Sequence, residues 1–474
     1  MGAGTEAVIP NLQFTHNAFR SAPEADFPGH FYVVMKWGRQ KNKPVYLNFS
    51  SGYDNINNYA LVYEQKGHKE DMKPMIEPDF YNDFHCIAGQ CSFTCCKEWK
   101  IAVDPETKKR WRKRSVPEMI LESGRVPEHA CVHASKSTVE LYQFVTKKDG
   151  ADIIELLPNM RCPFLEDTEL CRLVMDYGEE CLSETCHVFP RETHEFADRT
   201  ERTLVSCCPE IVDRLHDLHK LNFTNLPYQD RTFLLEGKDK LFQIRNIMMY
   251  YLDDDTVSNE VNLKRTLFML QDLLDKKAKG TQPDPGECLK EEDVQKLTEM
   301  ILSMPKDTKA SIEEQNALFL DITENYRKEG RYQGLLNPLC KTAEELSRAF
   351  QEEDTAQMKS LCAVHAEVVA AYTPLLRNYL VAEAFATLLI PGCTLRDMVL
   401  QLEWMIMEYV LIVHAMVLQM LCEKDRPLTY PKARELLILI ARMTGYDGDE
   451  IEDYLRESFE NPIWPWGYAD YLLS

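Results

Sequence analysis

The chain has 474 residues, enough for two or three domains, and its 45% hydrophobic and 27% charged composition is typical of a folded, water-soluble protein. It carries 54 Lys and Arg against 76 Asp and Glu, a net charge of −22. This balance argues against nucleic-acid binding, because phosphate contacts require clustered basic residues.

The placement of the cysteines indicates a reducing compartment. Eleven of the sixteen lie between Cys86 and Cys208. Disulfide frameworks are typical of small secreted chains. Residues 1–27 of this chain lack the apolar core of a signal peptide, so we do not expect secretion. The longest apolar run, Tyr409–Leu421, is too short to cross a bilayer. We therefore expect a cytoplasmic protein that contacts no membrane, with reduced thiols that hold metal.

The first region, residues 1–74, predicts a small β or α+β unit of unknown role. Three β-rich stretches, at residues 30–37, 45–49 and 59–63, alternate with turn-rich pieces. This alternation is typical of a β-meander.

The second region, residues 75–215, carries the cysteine cluster and predicts an irregular, metal-organised lobe. Short helices are expected around Pro105–Arg114 and Ser206–Leu218. Little else is regular, and metal coordination can replace a large apolar core in such a segment.

The third region, residues 216–474, predicts a helical domain by its 3.6-residue periodicity. Amphipathic stretches are predicted at residues 241–251, 262–276, 291–304, 342–361, 364–389, 395–422 and 433–443. No Gly-rich strand–turn–helix follows a predicted strand, so we expect no Rossmann domain. The predicted fold class is mainly α, with the cysteine-rich lobe and the small N-terminal region added to it.

Eight thiols in two clusters are the candidate metal ligands. The first cluster has the spacing C-x4-C-x3-C-C, and the second is more widely spaced. The eight are Cys86, Cys91, Cys95, Cys96, Cys162, Cys171, Cys186 and Cys208, of which four are expected to hold one cluster.

The ligand type and the spacing together favour iron–sulfur over zinc. Thiolates suit zinc and iron–sulfur clusters rather than magnesium or calcium. The paired C-x2-C knuckles typical of structural zinc are absent, and adjacent cysteines fit poorly on one ion. Thiols from distant segments can each bind one iron of a 4Fe–4S cluster. We predict a 4Fe–4S cluster, with zinc as the alternative metal.

Two further features lie near the clusters. Cys131 and His133 stand between them, either near the metal or incidental to it. Arg191 follows Phe189-Pro190, a rigid turn that aims a permanent cation. That cation would pair either with a carboxylate of a ligand or with an internal Glu.

Taken together, these strings resemble the flagellin lysine-N-methylase family, part of a broader group with zinc- or iron-chelating cysteine domains. The matching strings run from Phe84 to Asp104, Cys162 to Leu165, Leu170 to Cys171, Gly178 to Glu179, Leu182 to Arg191 and Ser206 to Glu210. The helical region looks like the family's C-terminal half. Residues 1–74 lie outside the resemblance, and Cys207 departs from a pattern with a single cysteine before Pro-Glu.

The resemblance implies methyl transfer from S-adenosylmethionine to the side-chain nitrogen of lysines in flagellin. It also implies a 4Fe–4S cluster in a structural or positioning role. An amine must lose its proton before it attacks the sulfonium methyl. Asp104 and Glu210 are weak candidates for the proton acceptor, and Trp99 and Arg191 for donor binding. A solvated or capping role is favoured for each carboxylate, especially for Asp104 before Pro105 at a helix start.

Two other functions fit the same thiols. One is an iron–sulfur redox or electron-transfer protein, which would be indifferent to S-adenosylmethionine. The other is a binding or scaffold protein stabilised by zinc. The sequence leaves the oligomeric state open.

Overall fold

A computed structural model describes residues 39–40, 43–44, 73–127, 139–148, 150–352, 355–423, 427–445, 448–459 and 461–474. These residues contain fifteen α-helices and eight short strands, which confirms the mainly helical fold class. The three β-stretches predicted before residue 74 lie outside the described residues. In that region Arg39–Gln40 (β1) and Lys43–Pro44 (β2) pair as a short antiparallel ladder.

The other six strands are few and short. They are Met75–Pro78 (β3), Val145–Lys148 (β4), Ala151–Ile154 (β5), Arg191–Glu195 (β6), Thr200–Leu204 (β7) and Phe223–Thr224 (β8). Four of them form one sheet in the order β6-β7-β3-β8, while β4 and β5 form a separate hairpin. Within the described ranges only β3 and β7 run parallel, so no dinucleotide-type sheet occurs there.

The cysteine-rich segment contains only short helices. They are Pro105–Trp111 (α1), Glu118–Glu122 (α2), Arg172–Tyr177 (α3), Glu184–Val188 (α4) and Pro209–Asp217 (α5). Local signals explain their length: Asp104 caps α1, with Pro105 at its first position, and α3 ends at Gly178, whose φ is 83°. A positive φ suits glycine because it has no Cβ.

Ten further helices, nine of them longer than any in the cysteine-rich segment, follow along the chain. They are Lys240–Leu252 (α6), Asn259–Ala278 (α7), Glu291–Ser303 (α8), Thr308–Lys328 (α9), Gln333–Gln351 (α10), Thr355–Thr387 (α11), Leu395–Cys422 (α12), Tyr430–Met443 (α13), Gly448–Ser458 (α14) and Trp466–Leu472 (α15). The stretch predicted at residues 342–361 is in fact divided between α10 and α11. Helix α9 was not predicted, because polar Ser311, Gln315 and Asn316 lie on its buried face and interrupt the apolar stripe.

Helix α12 is the central core helix. At 28 residues it is long and apolar enough to span a membrane, but 83% of its most apolar window is buried inside the protein. Packing against α11, α13 and α7 accounts for its composition. The apolar run Tyr409–Leu421 is thus shorter than the helix that contains it. Burial inside the protein explains the apolar composition of this run.

Two apolar cores lie side by side. The larger joins the long helices to the four-stranded sheet and includes Ile76 and Phe223. The smaller is built around Trp111 and Phe164, whose ring centroids are 5.7 Å apart, and it includes Cys162. The predicted domain boundaries at residues 74 and 215 stay predictions. Most of the clustered thiols lie in or beside the smaller core, where it faces the larger one.

Candidate functional site

Backbone hydrogen bonds draw three separate cysteine segments together. The Cys162 amide donates to the Cys96 carbonyl over 2.8 Å, and Leu165 pairs with Cys171 as an isolated β-bridge. Cys186 lies in α4, held where its amide donates to the Ser183 cap over 3.2 Å. Segments far apart in sequence therefore present their thiols to one region.

Five thiols form a group that we call the thiol centre: Cys95, Cys96, Cys162, Cys171 and Cys186. Cys162 is buried and the other four residues are half-buried. Burial raises the pKa of Cys162 well above its usual value, and ionised Cys171, Cys186 and Cys95 would raise it further. Burial likewise raises the pKa of Cys186 to about 12, and the negative charges of ionised Cys95 and Cys171 act in the same direction. Such mutual electrostatic effects require proximity, so these five sulfurs lie near one another.

The pair Cys95 and Cys96 differs within the centre. Their thiols hydrogen-bond to each other, which lowers the pKa of Cys95 to about 7 in spite of its burial. The same hydrogen bond raises the pKa of Cys96 well above its usual value. A hydrogen bond between the two thiols thus favours a thiolate within this pair, and thiolates rather than thiols bind metals.

The other three predicted ligands lie at the margin of the centre. Cys208 and Cys91 are close enough to Cys95 to affect each other's ionisation. Cys86 is exposed and accepts a hydrogen bond from the Ala88 amide over 3.4 Å. Cys131 and His133 lie outside the described residues. The structure thus brings five of the eight candidate thiols into one partly buried group and two more beside it.

The thiol centre is not a preformed site for a single ion. All described cysteines are free thiols. Among the described residues, no three or more His, Cys, Asp or Glu side chains are arranged to hold one metal ion. A structural zinc requires four ligands converging on one point.

A permanent cation, Arg442 on α13, lies beside the centre. It is only 1% exposed and donates to three carbonyls, those of Phe93 (2.8 Å), Thr94 (3.2 Å) and Cys207 (3.3 Å). No carboxylate lies within 4 Å of it in the part of the chain that the structure describes. A buried charge without a counter-ion is costly, so Arg442 suits a site that carries negative charge.

Sequence reasoning missed Arg442, although one signal was available. It is the only polar residue in the run from Leu436 to Met443. Its guanidinium lies 4.5 Å from the ring centroids of both Phe93 and Trp99. A charged residue inside an apolar helical run is expected to have a buried partner.

Aromatic side chains surround the same cation. Trp99, predicted as a donor-binding residue, is 4% exposed and packs edge-on against Phe189, with 5.1 Å between ring centroids. Tyr332 has a φ of 49°, and its amide donates to the Glu98 carboxylate over 3.0 Å. Within the described ranges, neither the Trp99 indole nitrogen nor the Tyr332 hydroxyl has a hydrogen-bond partner, although both are buried. Buried polar atoms without partners mark places where a ligand can supply them.

A buried acidic group lies nearby on the helices. Burial raises the pKa of Glu408, whose carboxylate accepts a short hydrogen bond from Thr444. The Tyr379 hydroxyl faces Glu408 without the geometry of a full hydrogen bond. Cys207, the residue that departs from the family pattern, affects the ionisation of Tyr379 and lies near Glu383. This grouping was not predicted, because its members lie far apart in sequence, on α11, on α12 and in the segment before α5.

The remaining predicted site residues have local structural partners. Asp104 caps α1 through Thr107 (2.8 Å) and also accepts from the Glu184 amide (3.0 Å). Glu210 pairs with Arg214 one turn further along α5, at 3.0 Å. Arg191 donates to the Phe84 carbonyl over 3.1 Å and lies 4.8 Å from its ring centroid. The roles predicted for them in catalysis and donor binding stay predictions.

The fold and these contacts describe a mainly helical, cysteine-rich protein with a partly buried thiol centre. No family model and no solved structure matches the chain. It is 31% identical over 143 residues to flagellar biosynthetic protein FliU of Salmonella muenchen, a match that covers 29% of this chain and 75% of that protein. It is also 30% identical over 142 residues to a lysine-N-methylase of Salmonella choleraesuis, which covers 29% of this chain and 31% of that protein.

A lysine-N-methylase of Salmonella typhimurium matches in the same way, at 30% identity over 147 residues. The chain therefore belongs to the flagellin lysine-N-methylase family, as its motifs predicted. The matched stretch spans about a third of the length of the two lysine-N-methylases.

Proposed function

We propose that this protein transfers a methyl group to the side-chain nitrogen of lysine in a flagellar protein, with flagellin as the expected substrate. The observation that carries the proposal is the relationship to one protein named for flagellar biosynthesis and two named lysine-N-methylase. The net charge of −22 is compatible with a lysine-bearing protein surface as partner.

The proposed cofactors are S-adenosylmethionine and a 4Fe–4S cluster. Four thiols of the thiol centre are the proposed cluster ligands, namely Cys95, Cys162, Cys171 and Cys186, which come from three separate segments. The nearby Arg442 favours an anionic group there. Methyl transfer from a sulfonium to an amine needs no electron, so the proposed role of the cluster is to hold these segments in place. The donor would supply an electrophilic methyl group.

The chain's own residues would prepare the amine. Removing a lysine ammonium from water lowers its pKa, and the aromatic faces of Trp99 and Tyr332 can hold a cation or an amine. The amine nitrogen forms a bond to the methyl carbon as the carbon–sulfur bond of the sulfonium breaks. The proton released from the amine passes to a carboxylate, for which buried Glu408 near Tyr379 is the proposed acceptor.

The direct test is mass spectrometry of purified flagellin after incubation with the full chain and methyl-labelled S-adenosylmethionine. We expect labelled methyl groups on lysine, and none when the donor is omitted. The protein should be purified without oxygen and its iron, sulfide and zinc measured. An iron-loaded protein that leaves flagellin unlabelled would favour the redox alternative. A zinc-loaded, inactive protein would favour the scaffold alternative.

A further inference from the structure

A joint between the cysteine segments and the helices is formed by Glu98 and Tyr332, which lie 234 positions apart in the chain. The Tyr332 amide donates to the Glu98 carboxylate over 3.0 Å, and the guanidinium of Arg331 donates to the Glu98 carbonyl. Arg331 and Tyr332 are 5% and 4% exposed, so the joint is packed inside the protein. The side chain and the main chain of one glutamate are thus both bound to the segment that leads into α10.

Both residues of the joint have a left-handed backbone. The φ angle is 66° at Glu98 and 49° at Tyr332. Residues with a Cβ rarely adopt such angles, because the conformation costs free energy and persists only where surrounding contacts fix it. Strained residues of this kind are concentrated at functional sites. Direct contact between two of them makes this joint a candidate for a functional role.

The other side of Glu98 is bound to the thiol centre. Its amide donates to the Met160 carbonyl over 2.8 Å, and the Cys162 amide donates to the Cys96 carbonyl, also over 2.8 Å. The two hydrogen bonds form a short antiparallel pairing of the same two segments. The pairing that brings Cys96 and Cys162 together therefore also fixes where the Glu98 carboxylate lies.

Helix α10 uses this carboxylate at its first turn. Tyr332 is the cap residue of α10, and within the described ranges its own side chain makes no capping hydrogen bond. The Glu98 carboxylate accepts from the Tyr332 amide instead, and a negative charge near a helix N-terminus is stabilising. The Tyr332 ring stacks against Phe93, with 6.1 Å between ring centroids. Glu98 thus holds the start of α10, and with it the Tyr332 ring, against the first cysteine cluster.

The joint connects the two aromatic side chains of the proposed amine site. Trp99 follows Glu98 directly in the chain, and Tyr332 is bound to the Glu98 carboxylate. We infer that Glu98 is a positioning residue, which keeps the Trp99 and Tyr332 rings in one arrangement by joining their two segments. The role of the rings rests on the proposed methyl transfer, whereas the joint itself does not.

The first test is hydrogen–deuterium exchange of the full chain, purified without oxygen. It is read at the Leu335 and Leu336 amides, which donate to the Tyr332 carbonyl over 2.9 and 2.8 Å. Glu98→Ala should speed exchange there about fivefold, because the start of α10 loses its acceptor. Glu98→Gln keeps an acceptor for the Tyr332 amide and should exchange like the unmodified chain.

Glu169→Ala is the matched control. Glu169 is also half-buried and left-handed, with a φ of 58°, and it lies among the same cysteine segments. Its carboxylate binds Lys97 (2.9 Å) and Arg161 (3.4 Å) rather than α10. Its replacement should leave exchange at the start of α10 unchanged.

The second test separates positioning from stability. Methyl transfer to flagellin is measured at saturating donor and divided by the folded fraction, which urea unfolding supplies. Glu98→Ala should lower kcat about tenfold, because the two rings would no longer be held in one arrangement, and Glu98→Gln should restore it.

Four outcomes would overturn the inference. They are exchange in Glu98→Ala like that of the unmodified chain, a Glu98→Gln variant that behaves like Glu98→Ala, equally fast exchange in Glu169→Ala, and an unchanged kcat per folded molecule in Glu98→Ala. An unmodified chain that transfers no methyl group would instead overturn the proposed function, and exchange at the start of α10 would then decide the inference alone.

Discussion

The guanidinium of Arg442 and the indole ring of Trp99 lie 4.5 Å apart, so a helix near the C-terminus is joined to the first cysteine cluster. The same guanidinium donates to the carbonyls of Phe93 and Thr94, directly before Cys95. The cation thus positions the segment that carries the adjacent thiols, and it supplies positive charge beside them.

Arg442→Met should destabilise the protein and weaken metal retention together. Three carbonyls would lose their donor in a buried place, which costs about 2–4 kcal/mol in all, and the thiols would lose their nearest cation. The measurements are urea unfolding and iron content. Arg456→Met, on the exposed face of α14, is the control and should change neither. Normal iron content in the Arg442 variant would contradict a role beside the cluster.

Single replacements of Cys95, Cys162 or Cys186 by Ser should lower metal content and soluble yield together. Ligand loss removes the folding free energy that metal binding contributes. Elemental analysis after anaerobic purification is the measurement, with Cys393→Ser outside the thiol centre as control. Unchanged iron in all three variants would show that other thiols hold the cluster.

Asp104→Ala should reduce stability without a specific effect on catalysis. The carboxylate caps α1 and also accepts from the Glu184 amide at the start of α4. Losing a cap costs about 1–2 kcal/mol. Thermal unfolding and methyl transfer per folded molecule should be compared. A large fall in turnover at unchanged stability would instead support the catalytic role first predicted for Asp104.

Glu408→Gln should lower methyl transfer by about 10²-fold if this carboxylate accepts the proton of the amine. Glu403→Gln is the matched control, because Glu403 is a buried glutamate on the same helix, bonded to Gln271 and Trp464 instead. Turnover at saturating donor is the measurement. Equal turnover in both variants would remove Glu408 from the proposed reaction.

Glu403 also predicts how stability depends on pH. Burial raises its pKa from 4.5 to about 8, despite hydrogen bonds from the Trp464 amide and Gln271. The folded state therefore favours the protonated form. Its contribution to stability is complete below about pH 4.5 and is lost as the pH rises through about 8. Unfolding free energies between about pH 5 and pH 9 should fall in the unmodified chain and fall less in Glu403→Gln.

Local sequence signals predicted much of the fold. Helices α7, α8 and α12 followed from periodicity, and the Asp104-Pro105 start of α1 followed from capping chemistry. The cysteine strings also led to the right family. These features depend on neighbouring residues, so one sequence contains enough information to infer them.

The tertiary structure alone decided which groups meet. Arg442 reaches residues 93 and 94 from some 350 positions away, and Glu260 meets Tyr409 across 149 positions. Helix α9 was hidden because its buried face carries polar side chains whose partners, such as Ala343 and Leu472, come from other helices. Contacts of this kind arise from packing between distant segments. Periodicity, capping and spacing report only on nearby residues and therefore carry no trace of them.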